Sequence, residues 1–154
     1  MNHPTAPVAS PDTAWLAAFV VKDGVMLGGL TDRQRLAALA LIWAALPPAA
    51  ALTEAGINAA LKAQLASVAR CLDTDHAELR RWLVDTGFLQ RDGFGRCHEQ
   101  TALQAMPPAA RAAAGGVLAA TADRGTADWV QSLRAERAAQ RAQRRSAWQA
   151  SPRA

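Results

Sequence analysis

The chain has 154 residues and a mass of 16.3 kDa, the size of one domain with a tail. Hydrophobic residues make up 51% of it, but about half of these are alanine, so the core has to be built from few large side chains. No stretch approaches the roughly 18 apolar residues of a membrane span, the residues around Met1–Pro11 lack the pattern of a secretory signal, and two cysteines do not make a disulfide scaffold. The expectation is a cytoplasmic protein without membrane partners.

The net charge of +4 is unevenly placed. Residues 1–122 carry ten Lys/Arg and ten Asp/Glu, whereas residues 123–154 carry seven Arg and three acids. A neutral body with a basic tail places the attraction for any anionic partner in the tail.

Residues 1–11 hold three prolines and read as a disordered lead-in. Asp12 is placed to cap a short helix whose apolar side is Trp15, Leu16, Phe19 and Val20. Glycines at 24, 28 and 29 then break the chain. Thr31 or Asp32 caps a second helix, with Leu36, Leu39, Ile42, Trp43 and Leu46 at helical spacing and Pro47-Pro48 as its end. Thr53 caps a third helix with Ile57, Leu61 and Leu65 on one face, followed by an undecided stretch from Ala66 to Leu72.

Asp75 and Glu78 have capping-box spacing, and Leu79, Trp82, Leu83 and Thr86 continue the helical period to Gly87, which closes the helix. Phe88–Arg91 reads as a short strand, Asp92-Gly93 as a turn, and Phe94–Cys97 as the returning strand. Three helices and a hairpin in this order outline a winged helix-turn-helix. Beyond Pro107-Pro108 the chain is alanine-rich, and Gly115-Gly116 predicts a weak or broken helix. Thr126–Trp148 holds neither Gly nor Pro and predicts a long helix rich in Ala, Arg and Gln.

The fold class expected is mostly α: a winged helix-turn-helix-like core with a small β-hairpin and a long C-terminal helix. The domain reading is a lead-in at 1–11, a winged-helix-like domain at 12–100, an Ala-rich linker or weak helix at 101–125, a basic helix at 126–148 and a tail at 149–154.

Over roughly residues 31–98 the chain resembles domain-of-unknown-function family 2087, a bacterial winged-helix-like domain. Thr53, Glu54, Ile57, Asn58 and Leu61 carry the first part of its pattern. Leu79, Arg80, Arg81, Leu83, Val84, Asp85, Gly87, Leu89 and Arg91 carry the second, with Asp92-Gly93 behind them. The interval from Asn58 to Asp75 is longer than the pattern, and an aromatic residue common in the returning strand is missing near Cys97. The resemblance implies a domain that often accompanies transcription regulators, and it brings no catalytic residues.

Arg80 and Arg81 lie on the third helix of the outlined motif, the element that enters the major groove, where arginine is the commonest contact. Arg91 and Arg96 lie on the hairpin, within reach of a neighbouring phosphate. The competing account ties these arginines into ion pairs, Arg81 with Asp85 and Arg80 or Arg91 with Glu54 or Asp92. Asn58 either contacts a base edge or ties its helix to a backbone carbonyl. Arg134, Arg137, Arg141 and Arg144, with Arg145 beside them, form a basic stripe for phosphates or for an acidic protein surface, or else a solvated face. Trp129, Val130 and Leu133 are expected to dock the start of this helix, on the body or on a second subunit.

Cys71, His76, Cys97 and His98 have ligand chemistry without a zinc-site spacing, so no metal and no cofactor are expected. Signatures of a phosphate loop, a nucleophile elbow or a zinc protease are absent. The function expected is a non-catalytic DNA-binding accessory or regulator acting on double-stranded DNA. The rival is an interaction or self-association module whose basic tail docks an acidic partner.

Overall fold

The computed structural model describes residues 11–47, 52–92, 94 and 97–152, apart from the side chain of Pro11. Six helices are described: α1 (Pro11–Phe19), α2 (Asp32–Ala45), α3 (Glu54–Leu65), α4 (His76–Asp85), α5 (Pro108–Ala120) and α6 (Thr126–Ala150). Three short strands, β1 (Leu52–Thr53), β2 (Leu89–Arg91) and β3 (Cys97–Gln100), form an antiparallel sheet in the order β1-β3-β2. The chain is mostly α with a small sheet and a long C-terminal helix.

The helix starts are set by side-chain caps. Thr31 accepts from the Gln34 amide while Gln34 reaches back to the Thr31 amide, a complete capping box. Thr53 caps α3 through the Gly56 amide, and Asp75 caps α4 through the Glu78 amide at 2.8 Å. The second half of the box expected at α4 is replaced: the Glu78 carboxylate accepts from the Thr74 hydroxyl at 2.7 Å. Asp12 lies inside the first turn of α1, and its carboxylate pairs with Arg33 at 2.8 Å, which ties α1 to the start of α2.

α2 is the central element. The sequence suggests one apolar face, yet every residue from Ala37 to Trp43 is buried. Its alanines let neighbouring helices approach on all sides, the condition in which a helix is covered all round. α5 lies along α2 and buries Ala110, Ala114 and Val117 against it. α5 is one continuous helix: Gly115 and Gly116 sit inside it without breaking it, so of the weak or broken helix read from the sequence the break is corrected. Helix propensity yields here to packing, since residues of α5 belong to the same core cluster as Leu16, Leu83 and Phe88.

The hairpin also departs from the sequence reading. The Asp92 amide donates to the Cys97 carbonyl and Arg91 pairs with His98, so the return begins at Cys97, where the expected strand ended. Gly93 lies outside the described residues, as do residues 1–10 and Pro48. β1 has no counterpart in the sequence reading. Its two residues extend the hairpin into a sheet by pairing with His98 and Cys97. Trp43 joins α2 to the region after β3: its indole donates to the Thr101 carbonyl at 3.1 Å, and Gln100 donates to the Trp43 carbonyl at 2.6 Å. Between α3 and α4 the chain makes turns from Ala66 onward, and Leu72 forms a parallel bridge with Val25.

Candidate nucleic-acid interface and basic cleft

The arginines fall into two groups, those whose side chains are engaged inside the fold and those left facing solvent. Arg35 is engaged: it donates to the carbonyls of Leu27 and Leu30 at 2.9 and 2.8 Å, pairs with Asp32, and lies 4.4 Å from the Trp82 ring. It locks the segment before α2 against α4.

Arg80 on α4 crosses to α3. It donates to the Asn58 side-chain carbonyl at 2.7 Å and reaches Glu54 at 3.4 Å. Of the two accounts of Arg80, the structural tie is the one present, and it sets the angle between α3 and α4. Asn58 accepts this bond, so the backbone carbonyl partner expected of it is corrected to a guanidinium. Arg81 is exposed and, among the described residues, makes no ion pair with Asp85. Arg91 is exposed at the end of β2. Arg96 lies outside the described residues. Phe94, at the hairpin tip, is 84% exposed.

Arg134 is the main correction to the basic stripe. Its guanidinium donates to the carbonyls of Val20 and Val68, both at 3.0 Å, and to that of Ser67. It therefore pins α6 to the end of α1 and to the turn after α3. Burial first, and the charge of Arg70 next, hold its pKa below the ordinary arginine value. Val130 is buried, and Trp129 and Leu133 pack partly against the same core, so of the two surfaces expected for the start of α6, the body or a second subunit, these residues meet the body. From Ala135 to Ala150 every residue of α6 is exposed, including Arg137, Arg141, Arg144 and Arg145.

These docked and free parts of α6 create a cleft of about 260 Å³ against the body. Its charged lining is Lys22 and Asp23 after α1, Arg70 after α3, and Arg134, Arg137, Arg141 and Arg145 on α6. The sequence reading missed Lys22 and Arg70. They lie 115 and 67 residues from Arg137 in the chain, respectively, and no local spacing connects them. Arg144 does not line the cleft.

Cys71 is fully buried next to Arg134, and burial pushes its thiol pKa up, which does not favour a reactive thiolate. Among the described residues no group of three His, Cys, Asp or Glu side chains is placed to hold a metal ion. His98, on β3, is 97% buried, and neither ring nitrogen has a hydrogen-bond partner among the described residues. Burial holds its pKa below the ordinary 6.5, and the charges of Arg80 and Arg91 lower it further, against opposing contributions from Glu54 and Asp92. The unfolded chain therefore binds the extra proton first as pH falls. The contribution of neutral His98 to stability is complete above about pH 6.5 and is lost as pH falls through the lowered folded value. Urea midpoints measured from pH 7.5 down to pH 5 are expected to fall once the pH drops below about 6.5. His98→Leu should flatten that part of the profile; an unchanged profile would refute the assignment to His98.

Residues 31–99 match the model of DUF2087, described as an uncharacterized protein conserved in bacteria. The match covers under half of the chain. It opens at the α2 cap and closes within β3, so the DUF2087 segment contains α2, α3, α4 and the strands that join them. α1, α5 and α6 lie outside it, although they share its core. No curated protein and no solved structure matches the chain. Among the described residues no helix is long and apolar enough to cross a membrane.

Proposed function

We propose that the chain is a non-catalytic DNA-binding accessory or transcription regulator of the cytoplasm, with a winged-helix DUF2087 core and a basic C-terminal helix. The observation that carries this reading is the run from α2 to β3. A helix, strand, helix, helix and two strands follow one another, and the first strand joins the outer side of the final hairpin. That connectivity suits a winged helix, with α4 as the groove-entering helix and the β2–β3 loop as the wing. Arg81 on α4 and Arg91 at the wing are exposed and available for base or phosphate contact. Arg80 is left out of this set because Asn58 and Glu54 already hold it.

The free half of α6 supports the same partner. Arg137, Arg141, Arg144 and Arg145 repel one another along a solvated helix, and a polyanion relieves that repulsion. The rival reading, in which this arm docks an acidic protein or a second copy, uses the same charges. Among the described residues the exposed large apolar side chains, Met26, Phe94, Leu118 and Trp148, stand on four separate segments, which favours the DNA reading over an apolar interface.

The test is binding of mixed-sequence duplex DNA across a salt series, for the full chain and for Arg81→Gln/Arg91→Gln. The full chain is expected to bind at low salt with a log–log slope of about −4, as for four or five neutralised phosphates. The double variant should lose roughly two units of that slope. No binding by the full chain at low salt would overturn the proposal.

A further inference from the structure

We infer that the cleft between α6 and the body is a binding site for a chain of consecutive phosphates, built by Lys22, Arg70, Arg137, Arg141 and Arg145. The site itself stands on the cleft; that the phosphates belong to DNA rests on the functional reading above.

Three separated segments converge there. Lys22 follows α1, Arg70 follows α3, and the three arginines of α6 recur every fourth residue. Such spacing advances about 6 Å along the helix per step and keeps the side chains on one face. The result is a line of cations on one wall with Lys22 and Arg70 on the other. Asp23 is the one carboxylate in the lining. None of the five cationic side chains has a hydrogen bond or ion pair among the described residues. Arg134 at the base adds positive charge, since its partners are neutral carbonyls. Ala138 between the arginines keeps the floor narrow and leaves the cleft open to the backbone of a ligand.

Folding gathers these like charges at a cost to stability. A ligand with several negative charges in a row offsets that cost, and a single phosphate does so only in part. Arginine suits the task because its fork matches phosphate oxygens in pairs. Arg70 also stands in the connection that leads into α4. A strand held in the cleft therefore runs beside the segment that introduces the proposed groove-entering helix.

The experiment compares the full chain with a variant carrying Lys22→Gln, Arg70→Gln, Arg137→Gln, Arg141→Gln and Arg145→Gln. The probes are inorganic tripolyphosphate, by calorimetry, and mixed-sequence duplex DNA, by anisotropy across salt. Thermal melting serves as the control for folding, and Arg81→Gln/Arg91→Gln as the control for the other surface. The cleft variant is expected to lose tripolyphosphate binding, to bind duplex at least about tenfold more weakly at low salt, and to lose about two units of log–log slope, the part that Arg81 and Arg91 do not carry. Arg81→Gln/Arg91→Gln should keep tripolyphosphate binding intact. Cleft-dependent tripolyphosphate binding without any duplex binding would uphold the site and overturn its assignment to DNA. Duplex binding that is unchanged in the cleft variant, with no tripolyphosphate binding by the full chain, would overturn the site and leave the DNA reading standing. Failure of both probes to bind the full chain would overturn both.

Discussion

Gly87→Ala is expected to destabilise the chain by about 3 kcal/mol and to lower the melting temperature by roughly 10 °C. Two independent effects add at this position. The backbone φ is +93°, a region an alanine enters only with strain. A Cβ there would also stand 2.6 Å from Cδ and 2.9 Å from Cγ of Pro107, well inside van der Waals contact. Gly87 follows α4 and Pro107 caps α5, so neither partner retreats without moving a helix. Pro107→Ala in the same chain removes the ring and should restore about half of the loss. Gly115→Ala is the counter-case. Its Cβ would meet nothing within 4 Å and its backbone is helical, so a gain of about 0.5–1 kcal/mol is expected. Thermal melting of the four proteins checks this, and a Gly87→Ala variant that melts like the parent would refute the packing described for α4 and α5.

Arg134→Met should cost a comparable amount, about 3 kcal/mol. Hydrogen bonds to a charged donor are individually worth about 1.5–3 kcal/mol, and three carbonyls lose theirs at once. The carbonyls of Val20, Ser67 and Val68 belong to segments that otherwise meet α6 through few polar contacts. Methionine keeps much of the stem's packing, so the loss isolates the guanidinium. Arg134→Lys separates this role from phosphate binding. Lysine keeps the charge and loses the fork, so it should recover little stability. Were Arg134 instead a phosphate contact, the lysine variant would be as stable as the parent and bind DNA nearly as well. Arg137→Met, on the exposed turn beyond, should leave stability within about 0.5 kcal/mol. Urea unfolding of the three variants distinguishes these outcomes.

Much of the DUF2087 segment was legible because its signals are local. Thr53 and Asp75 cap the helices they were expected to cap, Thr31 is the cap of the two residues read for α2, and each needs only a neighbour three residues away. Gly87 closes α4 with a positive φ, as a glycine after a helical period predicts. The long final helix follows from the absence of Gly and Pro over 126–148. β1 escaped notice because two residues carry no period, and their strand character comes from a partner 44–46 residues away. The late start of β3 escaped because Asp92-Gly93 is a strong turn signal in isolation, whereas the register is decided by pairing across the sheet. α5 reads as weak for a similar reason: its glycines lower propensity, and only the groove along α2 supplies the compensating contacts.

The candidate site divides along the same line. The basic character of the C-terminal helix is a property of composition and helical spacing, and it is present in the chain before it folds. Which arginines are free is a property of distance between segments far apart in sequence. Arg80 meets Asn58 across 22 residues, and Arg134 meets Val20 across 114. Lys22 and Arg70 enter the cleft only because α1 and the turn after α3 are folded against α6. Caps, turns and periodicity depend on interactions a few residues apart, which the order of residues specifies directly. A guanidinium's partner, and hence its availability to a ligand, depends on which distant carbonyls and carboxylates the packed core brings within about 3 Å, the reach of a hydrogen bond.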